Sequence, residues 1–244
     1  MGDDGARMEN DKTICLQLKD YTQKGLYLIF EDSSRLALTR ENIKKTTDEY
    51  WSNPDKIPPA VKSAIEFQRC PFCPLKGRDD FCDALRPILP LLDIVDRFMS
   101  YDKVTAIYKG DNQNLIHCAA TTIQGALKYL SIISLMQYCQ VGRKYWKYYV
   151  GIMPLTGVEE SSLHMYLNIY WNLKGNQEEI HRRIAQFSEQ IRITSENQVK
   201  RLNMICKKDS FVNAFVNTQV AIEFLSLDIE QRLALAFSDH GNGV

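Results

Sequence analysis

The sequence predicts an α+β protein: an N-terminal antiparallel sheet with a cysteine metal-site loop, followed by a mainly helical C-terminal region. Three observations predict it. Apolar residues alternate at period two from Ile14 to Leu38, and they recur at helical spacing almost without interruption from Asn176 to Phe237. Between these stretches, Cys70, Cys73 and Cys82 place three of the seven cysteines in one short segment. Strands first and helices later argue for α+β rather than a parallel wound sheet.

The bulk properties set limits on function. With 244 residues, 45% hydrophobic and 25% charged, the chain has ordinary globular composition, enough for one large domain or two small ones. Thirty basic and thirty acidic side chains cancel, so no overall field draws the protein to nucleic acid or to an anionic membrane, and neither is an expected partner. MGDDGARMENDK lacks the apolar core of a signal peptide, and the runs around Leu130 to Met136 are too short to cross a bilayer. A soluble, cytoplasmic protein is expected. An odd number of cysteines without a secretion signal fits reduced thiols better than a disulfide framework.

Each element has its own signal. Residues 1–12 are polar and aperiodic and read as a disordered tail. Ile14, Leu16 and Leu18, then Leu26, Leu28 and Phe30, then Leu36 and Leu38 after the Asp32-Ser33-Ser34 turn, predict a meander of two or three strands. Residues 40–60 mix charge with Asn-Pro and Pro-Pro and read as a connection containing a helical turn. Val61 to Phe67 suits a strand or a short helix. Asp83 is a candidate N-cap for a helix carrying Leu85, Ile88, Leu92, Val95 and Phe98, with Pro87 and Pro90 kinking its start.

A hairpin follows, with Val104, Ala106 and Tyr108, a Gly110-Asp111-Asn112 turn, and Leu115 to Ala120. Thr121 or Thr122 starts a helix running to about Cys139, apolar around most of its circumference and so buried on several sides. Arg143 to Ile152 reads as a short aromatic helix and Glu159 to Lys174 as a stronger one. Asn176 and Glu179 form a capping box for the next run, Asp209 caps Phe211 to Leu227, and a last helix lies near Asp228 to Phe237. A boundary near Gly175 divides residues 13–174, the α+β part with the cysteine site, from residues 175–244, which share its core or stand apart from it.

The cysteines carry the clearest chemistry. C-x2-C offers two thiolates one turn apart, a bite suited to tetrahedral zinc, and Cys82 returns over the KGRDDF loop as a third ligand. Spacing leaves the fourth open among Cys139, Cys118, His117 and Cys15. An iron–sulfur cluster is the alternative metal group. CPFC also suggests a thiol oxidoreductase, but that motif needs a helix directly behind the first cysteine, and Pro74 and KGRDD follow instead.

The motifs CPFCPL, Phe81-Cys82, SYDKV from Ser100, TTIQGAL from Thr121, NQVKRL and DSFVNAFV resemble an uncharacterised bacterial family, a domain of unknown function with a Cys-Pro-x-Cys-Pro-Leu signature. The resemblance runs from about Tyr27 to Phe237. It implies a later cysteine element after the hydrophobic helix, matched here by Cys139, and so a metal set of Cys70, Cys73, Cys82 and Cys139. Gln68, Gln140 and Met153 stand where relatives have His, Pro and His. Without those histidines the resemblance supports a structural site rather than an enzymatic one.

Other features are weaker. GRKYWKYY from Gly142 interleaves cations with aromatics in a composition that suits phosphates and stacked bases, as well as an ordinary amphipathic segment. Lys200, Arg201, Lys207 and Lys208 read as solvated charge. His117, His164, His181 and His240 form no ligand pair, and Walker A, GxGxxG and nucleophile-elbow motifs are missing. No catalytic residue is assigned. The expected protein is an interaction or regulatory protein with a structural zinc site and an unidentified protein partner, a second copy of the chain included. The alternative is a thiol or iron–sulfur redox protein using Cys70 and Cys73.

Overall fold

The computed structural model describes residues 21, 23–53, 55, 57–66, 70–75, 82–111 and 116–226. Alternation at the N-terminus produces β1 (Gly25–Phe30) and β2 (Arg35–Thr39), an antiparallel pair with Leu28 opposite Leu36. The turn between them is closed by the Phe30 amide donating to the Ser34 carbonyl at 3.0 Å, and Asp32 Oδ1 accepts from the Ser34 amide at 2.9 Å. The predicted hairpin is β3 (Lys103–Lys109) with β4 (Ile116–Thr122), and β3 pairs with β1 to give an antiparallel sheet of order β2-β1-β3-β4. Leu26, Leu28, Phe30, Leu36, Leu38, Val104 and Ala106 are buried on one face, as a period-two pattern requires.

Two expectations for the connections are corrected. Residues 40–51 form a full helix, α1 (Arg40–Trp51), begun by Thr39, whose side chain accepts from the Asn42 amide. Its sequence carries little apolar periodicity, because it lies on the surface and buries little beyond Ile43 and Thr47. After α2 (Pro59–Glu66), the helix expected from Asp83 is broken into 3-10 turns, Asp83–Leu85 and Leu89–Leu91, before the single turn α3 (Leu92–Val95). Pro87 and Pro90 lack the amides that a continuous helix would need. The expected tail, the strand around Ile14 to Leu18, Gln68, the KGRDDF loop and the helix near Asp228 all fall outside the described residues.

Thr122 caps α4 (Ile123–Ile133), accepting from the Gly125 amide at 3.3 Å. The helix then widens into a π turn, Ser134–Tyr138, and ends at Cys139. A 3-10 segment, Gly142–Tyr149, leads to α5 (Val158–Asn172), the long α6 (Gln177–Ile205), capped by Asn176, and α7 (Ser210–Ser226). α7 lies among the others, with serines holding it close. Ser131 of α4 donates to the Ala214 carbonyl at 3.3 Å, Ser162 of α5 to Ala221 at 2.6 Å, and Ser195 of α6 to Phe215 at 3.2 Å. Asp209, expected to cap α7, also reaches back to Ser100, accepting from its amide at 2.8 Å and its hydroxyl at 2.7 Å. One buried hydrophobic cluster extends from Leu26 in the sheet to Leu225 in α7. Among the described residues no helix is long and apolar enough to cross a membrane.

Candidate metal centre

Three separated segments meet at the cysteines. Cys70 and Cys73 bracket a tight turn in which the Cys73 amide donates to the Cys70 carbonyl at 3.0 Å. Cys82 precedes the first 3-10 turn, its carbonyl accepting from the Leu85 amide at 3.1 Å. Cys139 is delivered by the π turn, whose wider ring closes through the Cys139 amide to the Ser134 carbonyl at 2.9 Å. The Ser134 hydroxyl also donates to the Ala84 carbonyl, joining this turn to the segment after Cys82.

All four cysteines line one cavity of about 20 Å³. That is room for one water molecule or one ion, and far too little for an organic substrate. Of the other fourth-ligand candidates, His117 and Cys118 belong to β4 and do not line this cavity, while Cys15 lies outside the described residues.

Hydrogen-bond donors surround the sulfurs. Arg201 Nη1 donates to Cys82 Sγ at 3.3 Å and Gln198 Nε2 at 3.2 Å. Asn197 and Thr194 bond the Cys70 sulfur, and the Val141 and Gly142 amides bond that of Cys139. Gly142 is obligatory here: a Cβ at that position would stand 2.0 Å from the Leu135 carbonyl oxygen. Burial pushes the Cys139 thiol up to about 12 and raises Cys70, against the pull of these donors.

A shell of N–H donors is what thiolates on a metal require, so the chemistry of the site fits a thiolate-bound ion. Gln198 Oε1 adds to this as a buried acceptor without a hydrogen-bond partner among the described residues. The spacing is looser: among the described residues no group of three or more His, Cys, Asp or Glu stands close enough together to hold a metal ion. The sulfurs share a cavity without converging on a point inside it.

The donors from α6 are the part that the sequence did not disclose. Arg201, expected to be solvated, is 1% exposed. Its neighbours Lys200, Lys207 and Lys208 are exposed as expected. A usable signal existed: the buried positions Ile180, Ile184, Phe187 and Ile191 alternate by four and three, and the same phase continues through Thr194, Gln198 and Arg201. Composition alone hides this, because the inner face of α6 turns from apolar to polar at Thr194.

An α+β fold whose helical half supplies polar donors to a cysteine-lined cavity defines the class of protein. Within that class, the chain belongs to the family described as Domain of unknown function (DUF6901), whose family model matches residues 29–237. The match includes all four cysteines and their donors. No curated protein matches the chain, and no solved structure does.

Proposed function

We propose that Cys70, Cys73, Cys82 and Cys139 form a structural zinc site in a protein that works by binding a partner rather than by catalysis. One observation carries this reading: four cysteines from three separated segments of the chain line a single ion-sized cavity, with N–H donors turned toward three of the sulfurs. Four thiolates around Zn²⁺ leave a net charge of about −2, for which the Arg201 guanidinium and the surrounding amides compensate. Closing the sulfurs on an ion calls for inward movement of the Cys70–Cys73 turn, whose Pro71 and Phe72 are exposed. Bound zinc adds its binding free energy to folding. A protein partner has a place to dock on α5, where Leu167, Tyr170 and Trp171 are exposed at i, i+3 and i+4, Trp171 by 84%.

Elemental analysis of protein purified without added metal or chelator tests the proposal. The expected result is about one zinc per chain, with a lower melting temperature after chelation and no zinc in Cys82→Ala. Metal-free wild-type protein, with an unchanged melting temperature in Cys70→Ala, would refute it. The contact of Arg201 with Cys82 also favours a second reading, a thiol or iron–sulfur redox protein, because a guanidinium stabilises a reactive thiolate. Iron with visible absorption, or rapid alkylation of a single cysteine, would select that reading.

A further inference from the structure

Beside the cysteine cavity, two adjoining hollows of about 440 and 1050 Å³ open between α1 and the end of α4. Arg40, Lys44, Gln137, Tyr138 and Arg143 line both. Taken singly, each is about the size of a cleft for a small organic ligand, in contrast to the cysteine cavity. Gln140 and Asp83, joined at 2.7 Å, line both the smaller hollow and the cysteine cavity, and so stand in the wall between them.

The charges in these hollows are unevenly matched. Lys24 pairs with Asp111, Arg86 with Asp83 at 3.5 Å, and Glu41 accepts from Gln23 at 2.6 Å. Arg40, Lys44 and Arg143 are exposed and form no ion pair among the described residues. Against them stand two lining carboxylates without a cationic partner among the described residues, Asp48 and Glu41, whose Gln23 donor carries no charge, so three positive charges less two negative leave one. That positive excess attracts a phosphate monoester, which carries about −1.5 to −2 at neutral pH. Trp146 lines the larger hollow, is 59% exposed, and stacks on no other ring among the described residues. An indole face open beside unpaired guanidinium groups suits a planar base next to a phosphate.

We propose that this groove binds a nucleoside phosphate, with Arg40, Lys44 and Arg143 on the phosphate and Trp146 against the base. A free nucleotide fits better than a nucleic acid strand, because the cations gather where the two hollows adjoin and the chain as a whole carries no net charge. The inference is independent of metal in the cysteine cavity. It also gives a role to the cation and aromatic composition of the GRKYWKYY segment: Arg143 and Trp146 face the groove, while Tyr145 and Tyr148 are buried.

Calorimetric titration of the full chain with AMP, GMP, CMP and UMP, with ribose 5-phosphate and with a twelve-residue oligothymidylate, tests this. At least one nucleotide should bind saturably, with ribose 5-phosphate about tenfold weaker for want of stacking. Arg40→Gln/Arg143→Gln should weaken the nucleotide at least tenfold. Trp146→Ala should weaken the nucleotide and leave ribose 5-phosphate unchanged. All these side chains are exposed, so the variants should keep the wild-type melting temperature, which is checked alongside. Saturable binding by none of the four nucleotides, wild-type affinity in the double variant, or an oligonucleotide bound a hundredfold more tightly than any mononucleotide would each overturn the proposal.

Discussion

Gly142 shows how much can depend on a missing side chain. Its Cα faces the Leu135 carbonyl so closely that only hydrogen fits, and the approach aims two backbone amides at Cys139. Alanine there must push the segment outward, since backbone cannot yield as a flexible side chain does. Gly142→Ala should lower stability by about 3 kcal/mol, read as a shift of the urea midpoint at constant slope. A midpoint within error of wild type would mean that the contact relaxes freely. Nothing in the sequence around Gly142 advertises this role; the segment reads as cations and aromatics because close approach to Leu135 is tertiary. Arg201 was hidden for a related reason. A guanidinium on a helix is solvated in most settings, and only the phase inherited from Ile180 through Ile191 turns it inward.

Among the elements, those with local causes were legible. Strand alternation from Leu26 to Leu38, the β3–β4 hairpin and the Thr122 cap are each written within a few residues and took the form expected of them. Asn176 caps α6 as expected, but the capping box does not close, because the Glu179 carboxylate turns to Arg182 and Arg183. The π turn was not legible, because a wider ring is chosen by what it packs against, here the segment after Cys82. The tyrosines of the Gly142–Tyr149 segment were likewise ambiguous until their partner was known. Tyr145, Tyr148 and Tyr149 gather around Phe187 of α6 with ring centroids 5.0, 5.4 and 6.1 Å away. Phe187 is fully buried, so Phe187→Ala should cost about 4 kcal/mol through lost burial and the cavity left behind. Chemical denaturation measures it, and a loss under about 1 kcal/mol would show that the rings close over the gap.

For the whole molecule, the buried Cys139 thiol and the half-buried Cys206 thiol set a dependence on pH. Burial raises Cys139 and Cys206 from an ordinary 9.0 to about 12 in the metal-free fold. Below pH 9 both folded and unfolded chains hold these protons, and the thiols leave stability unchanged. Between about 9 and 12 the unfolded chain releases protons that the folded chain keeps, so stability falls as pH rises, by up to about 1.4 kcal/mol per pH unit for each thiol. Urea denaturation of the chelated protein across this range should show the decline, and Cys206→Ala should make it shallower. Equal slopes in the two proteins would contradict the burial of Cys206. Metal binding has the opposite demand: thiolate ligands must shed their protons, so zinc affinity should fall as pH is lowered.

The separation of Cys82 from its guanidinium partner, 119 residues, also has a consequence in time. At ribosomal speeds the chain needs on the order of ten seconds to add that length. During that interval the CPFC turn has been made and the helix that shelters its sulfurs has not. The nascent protein thus passes through a stage in which its cysteines are available to oxidants and stray metals, and α6 ends that stage when it docks.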